Sequence, residues 1–236
     1  MYEPYNQTFT CFNGRQFIVT LRKETTDFNT IYASLVEDEY GLKDFDFNDD
    51  DVVIDIGPAT GGEALLISTI NPKTKIYCFE PLPENIQLLK QNIVQNNLSN
   101  VSVFQKAVSG HNGTDKIYYG AEDYEISKYH HFIGNSLNIP KGNFIIVESV
   151  TLEKIFNNLN LSRIKILRMD PEGTEVDILK ACPFNILKRI DWIVGEHHTV
   201  SRKDLLKLTK GLFVDIPCAW QSDNNLGHFR FKNKKL

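Results

Sequence analysis

Asp55-Ile56-Gly57-Pro58-Ala59-Thr60-Gly61-Gly62 is the stretch from which the rest of the chain can be read. It follows an apolar run, Val52-Val53-Ile54, so residues 51–56 read as a short buried strand that ends at glycine. Gly57 lets the backbone turn sharply where a β-carbon would clash. Gly61 permits close approach at the start of the helix expected over 60–70. Thr60 and Glu63 have the S/T-x-x-E spacing of a capping box, which would satisfy two orphan backbone donors at that helix start. A second strand is expected at 75–79. Pro83-Glu84 then opens a second helix, with proline at its first position and an acid near the positive end of the dipole. Ile86, Leu89 and Ile93 fall on one face of it. A third strand lies within 101–108.

Away from this unit the pattern loosens and then recovers. Residues 17–21 read as a strand in a short N-terminal extension. Residues 116–119 suggest a strand edge, 120–143 a long irregular segment, and 144–150 an extended apolar run. A helix is expected at 151–159, a strand at 164–169, a helix at 174–181 and a strand around 192–194. Two strands near 213–216 and 228–231 would form a closing antiparallel pair. Strands alternating with helices predict an α/β fold, doubly wound around a mostly parallel sheet, with right-handed crossovers. Ligands of such sheets bind at the carboxyl ends of the strands. The expected division is an N-terminal extension, 1–50, packed on a ligand-binding domain, 51–236.

Composition narrows the class. The chain has 236 residues, 42% hydrophobic and 24% charged, with a formal net charge of −4. That suits one sizeable α/β domain. It offers no global basic field for nucleic acid or an anionic membrane. The basic run Lys232-Asn233-Lys234-Lys235 reads as a solvated tail. Cysteines 11, 78, 182 and 218 make no CxxC pair, so neither zinc nor redox chemistry is indicated. The opening residues lack a signal-peptide pattern, and the apolar stretch 64–70 is too short to span a bilayer. A cytoplasmic protein with reduced thiols is the expectation.

Glu80 closes the second strand, where a carboxylate can accept hydrogen bonds from both ribose hydroxyls of an adenosine. A dinucleotide site wants G-x-G-x-x-G, so that pyrophosphate can sit on exposed helix N–H groups. Here the middle position is Ala59, and Pro58 removes a backbone donor from the loop. Asp55, Gly57 and Gly61 instead match D-x-G-x-x-x-G. S-adenosylmethionine carries a sulfonium and an ammonium in place of a diphosphate, so a strand-end carboxylate favours it and repels pyrophosphate. An NAD-dependent oxidoreductase and a non-catalytic module that keeps the fold are the alternatives.

Further blocks follow in order: Tyr77-Cys-Phe-Glu80-Pro81-Leu-Pro83-Glu-Asn85, Asn100-Val101 through Ala107-Val108-Ser109, Val150-Thr-Leu152, Ile166-Leu-Arg-Met-Asp170-Pro171-Glu172-Gly173-Thr-Glu175, and Val194-Gly-Glu196-His197. With the glycine turn, they resemble the FkbM family of S-adenosylmethionine-dependent methyltransferases over residues 51 to about 198. Departures are Glu153 for the usual Asp, Pro171 for Val or Cys, and Pro58 and Thr60 in place of Ala and a less polar residue. The resemblance implies a class I methyltransferase fold, with a seven-stranded Rossmann-like sheet. It also implies O-methylation, often of a sugar or polyketide hydroxyl, with a small-molecule acceptor as partner.

The roles expected on this basis are these. Asp55, Gly57, Pro58, Ala59 and Gly61 face the methionine part of the cofactor, and Glu80 with Pro81 holds the ribose. Gln105 and Ala107 lie at the adenine edge, and Asp170 stands opposite the sulfonium. A hydroxyl acceptor must lose a proton. His197 is the first candidate base because its intrinsic pKa is near neutral, with Asp170, Glu172 and Glu196 beside it. His198 reads as a rim residue. Asp170, Glu172, Glu196 and His197 would be the place for a divalent cation, but nothing in their spacing demands one, and no metal is expected. Tyr124, Tyr129, His130, His131 and Phe132 in the long segment are candidates for acceptor contacts.

Overall fold

The computed structural model describes residues 3–119, 131–132, 143–198, 200–218 and 226–236. The chain opens with an antiparallel hairpin, Pro4–Thr10 (β1) and Gln16–Arg22 (β2). Helix Asp27–Ile31 (α1) runs into a π-helical turn, Tyr32–Glu37, and a 3₁₀ turn follows at Leu42–Asp44. Then come Val52–Ile56 (β3), Gly62–Ile70 (α2), Lys75–Phe79 (β4), Pro83–Gln95 (α3) and Val101–Phe104 (β5). Ala107–Val108 (β6), Gly113–Tyr119 (β7), His131–Phe132 (β8) and Asn143–Val150 (β9) form a separate sheet in the order β6-β9-β7-β8. The chain continues with Leu152–Asn158 (α4), Ile164–Met169 (β10), Glu175–Ala181 (α5), Phe184–Leu187 (α6), Ile190–His197 (β11), Arg202–Leu208 (α7), Phe213–Asp215 (β12) and Gly227–Asn233 (β13).

The central sheet has seven strands in the order β12-β13-β11-β10-β3-β4-β5. Neighbours from β5 to β11 pair in parallel, and β13 runs against both β11 and β12. This is the doubly wound, mostly parallel arrangement expected from the sequence, closed by the expected antiparallel pair.

Side chains alternate across each strand, and both faces are buried, as parallel strands require. One face carries Ile54, Ile56, Leu167, Met169, Ile193, Phe229 and Phe231 against Phe156, Ile178, Leu179 and Leu205 of the helices after β9. The other carries Val53, Ile76, Cys78, Ile166 and Val194 against Leu65, Leu66 and Leu89 of α2 and α3. Phe17, Leu21, Ile31 and Leu35 from the first 50 residues belong to this second cluster. Asn92 ties the layers together. Its Oδ1 accepts from Thr20 N–H at 2.8 Å, and its Nδ2 donates to the Thr60 carbonyl at 3.0 Å.

Two local expectations are corrected. The first helix starts at Gly62, not Thr60, because Gly61 takes a left-handed conformation (φ 100°) and occupies the N-cap. No side chain caps that helix, so the Thr60–Glu63 capping box does not form. Glu63 is drawn away to Ser34, whose hydroxyl donates to it at 2.7 Å. Second, the third strand stops at Phe104, and Ala107 belongs to the smaller sheet. The strand edge expected at 116–119 and the extended run expected at 144–150 both form, and 113–119 pairs with 143–149. That long-range ladder is invisible to a local pattern. Tyr124, Tyr129 and His130 lie outside the described residues, and His131 and Phe132 form the backbone of β8. Among the described residues no helix is long and apolar enough to cross a membrane.

Gly195 of β11 pairs with Met169 of β10. A β-carbon there would lie 1.8 Å from the Met169 carbonyl oxygen. Gly195→Ala must therefore push two core strands apart. It is expected to cost about 3 kcal/mol in urea unfolding. Wild-type stability in that variant would contradict the close strand approach.

Candidate functional site

β3 sits between β10 and β4, so the chain leaves it in one direction for β4 and later returns on its other side. Crevices at such reversals of strand order are where ligands bind in open α/β sheets. A cleft of about 280 Å³ lies there. Its walls are Gly57, Ala59 and Thr60 of the turn, Glu80, Pro81 and Leu82 after β4, Asp170, Pro171 and Glu172 after β10, and Glu196 near the end of β11. The N-terminal segment adds Arg22, Asp27, Glu39 and Tyr40, and the smaller sheet adds Ile117.

The turn is held tightly. Gly57 has φ 74°, and a β-carbon on it would lie 2.1 Å from the Asp170 carbonyl oxygen. Its N–H donates to the Phe79 carbonyl at 3.0 Å. Ala59 is also left-handed, with φ 47°. Its N–H donates to Glu80 Oε2 at 3.2 Å, while Leu82 N–H donates to Oε1 at 2.9 Å. Glu80 is thus fixed against the turn by its two oxygens, with Asn85 as a further hydrogen-bond partner. Burial pushes its pKa up to about 7. Beside it, Arg22 pairs with Asp27 at 2.6 Å and donates to Asn85 Oδ1 at 3.0 Å.

Asp55 does not line the cleft. It is fully buried and faces Arg168 at 3.4 Å. Arg168, 3% exposed, also meets Glu63 at 3.1 Å and Asp170 at 3.0 Å. It donates to the Gly57 carbonyl at 2.7 Å and to the Tyr40 hydroxyl at 3.1 Å. Burial raises Asp55 to about 7 against the opposing pull of Arg168. Ser34 links this group to the N-terminal segment, since its hydroxyl lies 2.9 Å from Glu39 and 2.7 Å from Glu63. Burial, and then the Glu63 charge, raises Glu39 to about 7.

The two adjacent histidines lie in different surroundings, His197 in the core and His198 beside the cleft carboxylates. His197 is fully buried beside Phe229, on the face of β11 opposite Glu196. His198, one residue past the strand, sits among carboxylates. Its Nδ1 lies 2.6 Å from Glu175 Oε1. Its Nε2 lies 3.4 Å from Glu172, 3.6 Å from Asp170 and 3.7 Å from Glu196. Glu172 and Gly173 are both left-handed, with φ 56° and 116°. This turn delivers Glu172 to the cleft and lets Gly173 N–H donate to Glu175 at 3.1 Å. Asp170, Glu172 and Glu196 are therefore brought together as a set, joined by His198 and not by His197.

The remaining expected residues are spread around the cleft. Pro58 and Gly61 are buried behind the turn, and Gly61 packs against Leu89. Gln105 is exposed, and Ala107 is in a small cluster with Leu82, Ile117 and Val147. Arg168, Tyr40, Glu39 and Glu175 were not foreseen. For Arg168 the signal was present: a lone arginine inside an apolar strand must find buried partners.

The Methyltransferase FkbM domain matches residues 55–212. The chain is 26% identical over 141 residues to the 2-O-methyltransferase NoeI of Sinorhizobium fredii, a match covering 55% of this chain and 56% of that protein. The methyltransferase FkbM structure from Methylobacillus flagellatus superposes with a TM-score of 0.52 at 11% identity, over 85% of this chain and 47% of that one. The chain thus spans about half the length of these relatives. With the domain covering more than half of it, this chain belongs to the FkbM methyltransferase family.

Proposed function

We propose that the chain transfers a methyl group from S-adenosylmethionine to a hydroxyl of a small acceptor, a sugar hydroxyl before others. The observation that carries this reading is the charge of the cleft. Its lining holds six carboxylates, Asp27, Glu39, Glu80, Asp170, Glu172 and Glu196, against two guanidiniums, Arg22 and Arg168. Arg22 is already matched by Asp27, and Arg168 is shared by three acids. Such a cleft favours a cation and opposes a diphosphate. That weighs against a dinucleotide, as do Ala59 and Pro58.

The residues present fit the cofactor. Glu80 stands where ribose hydroxyls would donate to it, anchored by Ala59 and Leu82 N–H groups. Asp170, its position set by Arg168, would face the cationic sulfur of the bound cofactor. The bound cofactor would supply an electrophilic methyl group, which leaves the protein to align the acceptor, exclude water and remove a proton. Leu82 and Ile117 give the cleft apolar wall that helps exclude water. The hydroxyl acceptor is supported by the 2-O-methyltransferase named among the relatives.

Two outcomes follow. Glu80→Ala is expected to weaken S-adenosylhomocysteine binding at least about tenfold by calorimetry, the loss of a charge-assisted hydrogen-bond pair. Unchanged affinity would remove the ribose assignment.

The second outcome concerns pH. Asp55, Glu39 and Glu80 are raised by burial to about 7. The folded protein then keeps protons that the unfolded chain has released. This contribution is full below the ordinary carboxylate range and is lost as pH rises through 7. The melting temperature of the ligand-free protein is expected to fall between about pH 6 and about pH 8, with a smaller fall in Glu39→Gln. A flat or rising melting temperature would contradict the crowding of these acids.

A further inference from the structure

Building on the methyltransferase reading, we propose that Glu175 and His198 form the proton-accepting pair of this site, with His198 Nε2 taking the proton of the acceptor hydroxyl. Glu175 is 1% exposed, and its Oε1 accepts the Nδ1 proton at 2.6 Å. That bond fixes the tautomer and turns Nε2 toward the carboxylates that line the cleft, Asp170, Glu172 and Glu196, at 3.4–3.7 Å. A buried carboxylate orienting an imidazole whose other nitrogen points to the reaction site is the arrangement by which histidine bases are held. His197 lacks this placement, being enclosed on the opposite face of β11.

Electrostatics determines when the pair works. Burial acts to lower His198, but the Glu175 hydrogen bond and the charges of Asp170 and Glu172 outweigh it and hold the ring at about 10. Without ligand, Nε2 therefore carries a proton, and His198 is the cation that these acids require. Glu196 faces the ring as well, while Arg168 engages the other oxygen of Asp170. With Asp170 facing a bound sulfonium, that requirement is met from the cleft side, and Nε2 releases its proton to solvent.

In the transfer, the acceptor's O–H proton passes to Nε2 and its oxygen forms the new O–C bond. The S–C bonding pair remains on sulfur as a neutral thioether. One positive charge is lost at sulfur as one appears on the imidazole, so the carboxylates face a single cation throughout.

The test follows the His198 ring by NMR in a pH titration of the wild-type protein. It is run alone, with S-adenosylhomocysteine, and with sinefungin, a cationic analogue that cannot donate methyl. His198→Gln identifies the signal. The ring is expected to stay protonated well above neutrality alone and with S-adenosylhomocysteine, and its pKa to fall by about one unit or more with sinefungin. In a methyl-transfer assay against pooled sugars, glycolipid precursors and phenols, read by mass spectrometry, His198→Gln is expected to lose about 10²–10⁴-fold in rate. Its S-adenosylhomocysteine affinity should be kept.

A titration indifferent to sinefungin, a full rate in His198→Gln, or a turnover abolished by EDTA and restored by Mg²⁺ would overturn the pair. If His198→Gln does not fold, the ring signal is assigned through bonds to the sequentially assigned backbone of the isotope-labelled wild type, and its titration decides. Failure of the wild type to bind S-adenosylhomocysteine would instead sink the methyltransferase reading, and the pair with it.

Discussion

Arg168 brings one positive charge to a nearly buried position at the back of the cleft, and three acids converge on it: Asp55, Glu63 and Asp170, at 3.4, 3.1 and 3.0 Å. Isolated, any of these groups would be costly to bury, and removing one partner from such a set typically costs about 3–5 kcal/mol. Together they fix three parts of the molecule. Asp55 belongs to β3, Glu63 to the first turn of α2, and Asp170 to the end of β10. The same guanidinium also holds the Gly57 carbonyl at 2.7 Å and the Tyr40 hydroxyl at 3.1 Å. The glycine turn, the strand that ends at the cleft and the N-terminal segment that covers them therefore share a single ion cluster.

A second group of carboxylates stands one layer out, around the cleft. Glu172 and Glu196 are partly open to solvent, and their nearest cation is His198. Asp170 joins the two groups, with Oδ2 toward Arg168 and Oδ1 toward His198. The inner set is matched by a charge that cannot leave. The outer set is matched by one that can, because imidazole titrates and a ligand cation can replace it. On the proposed mechanism, this division lets a rigid frame carry a site whose charge changes during use. The first 50 residues take part in the frame. Glu39 and Tyr40 reach the cleft, and the hairpin is pinned to α3 through Asn92.

Much of the frame was readable from local pattern. The strands at 52–56, 75–79 and 164–169 are short apolar runs bounded by turn residues, and buried parallel strands leave that mark. Glu80 was found for the same reason, since it ends such a run. What escaped depends on parity or on distance. β11 continues to residue 197, and period-2 alternation from Trp192, Val194 and Glu196 puts His197 on the opposite face. Carrying that count two residues further would have favoured His198. The capping box failed because Gly61 supplied a better helix start and Glu63 was drawn to a charge 105 positions later in the chain. The pairing of β7 with β9, and the polar strand β1 at the edge, are set by tertiary contacts that no window of sequence contains.

The ion cluster can be tested by itself. Urea unfolding of Arg168→Met, with and without saturating S-adenosylhomocysteine, reads both of its consequences. The variant should lose about 3–5 kcal/mol, and the ligand should stabilise it far less than it stabilises the wild type, because the Gly57 carbonyl and Asp170 have lost the group that places them. Wild-type stability together with an undiminished ligand effect would show that the turn and its three acids stand without Arg168, and would contradict the central place of that guanidinium in the molecule.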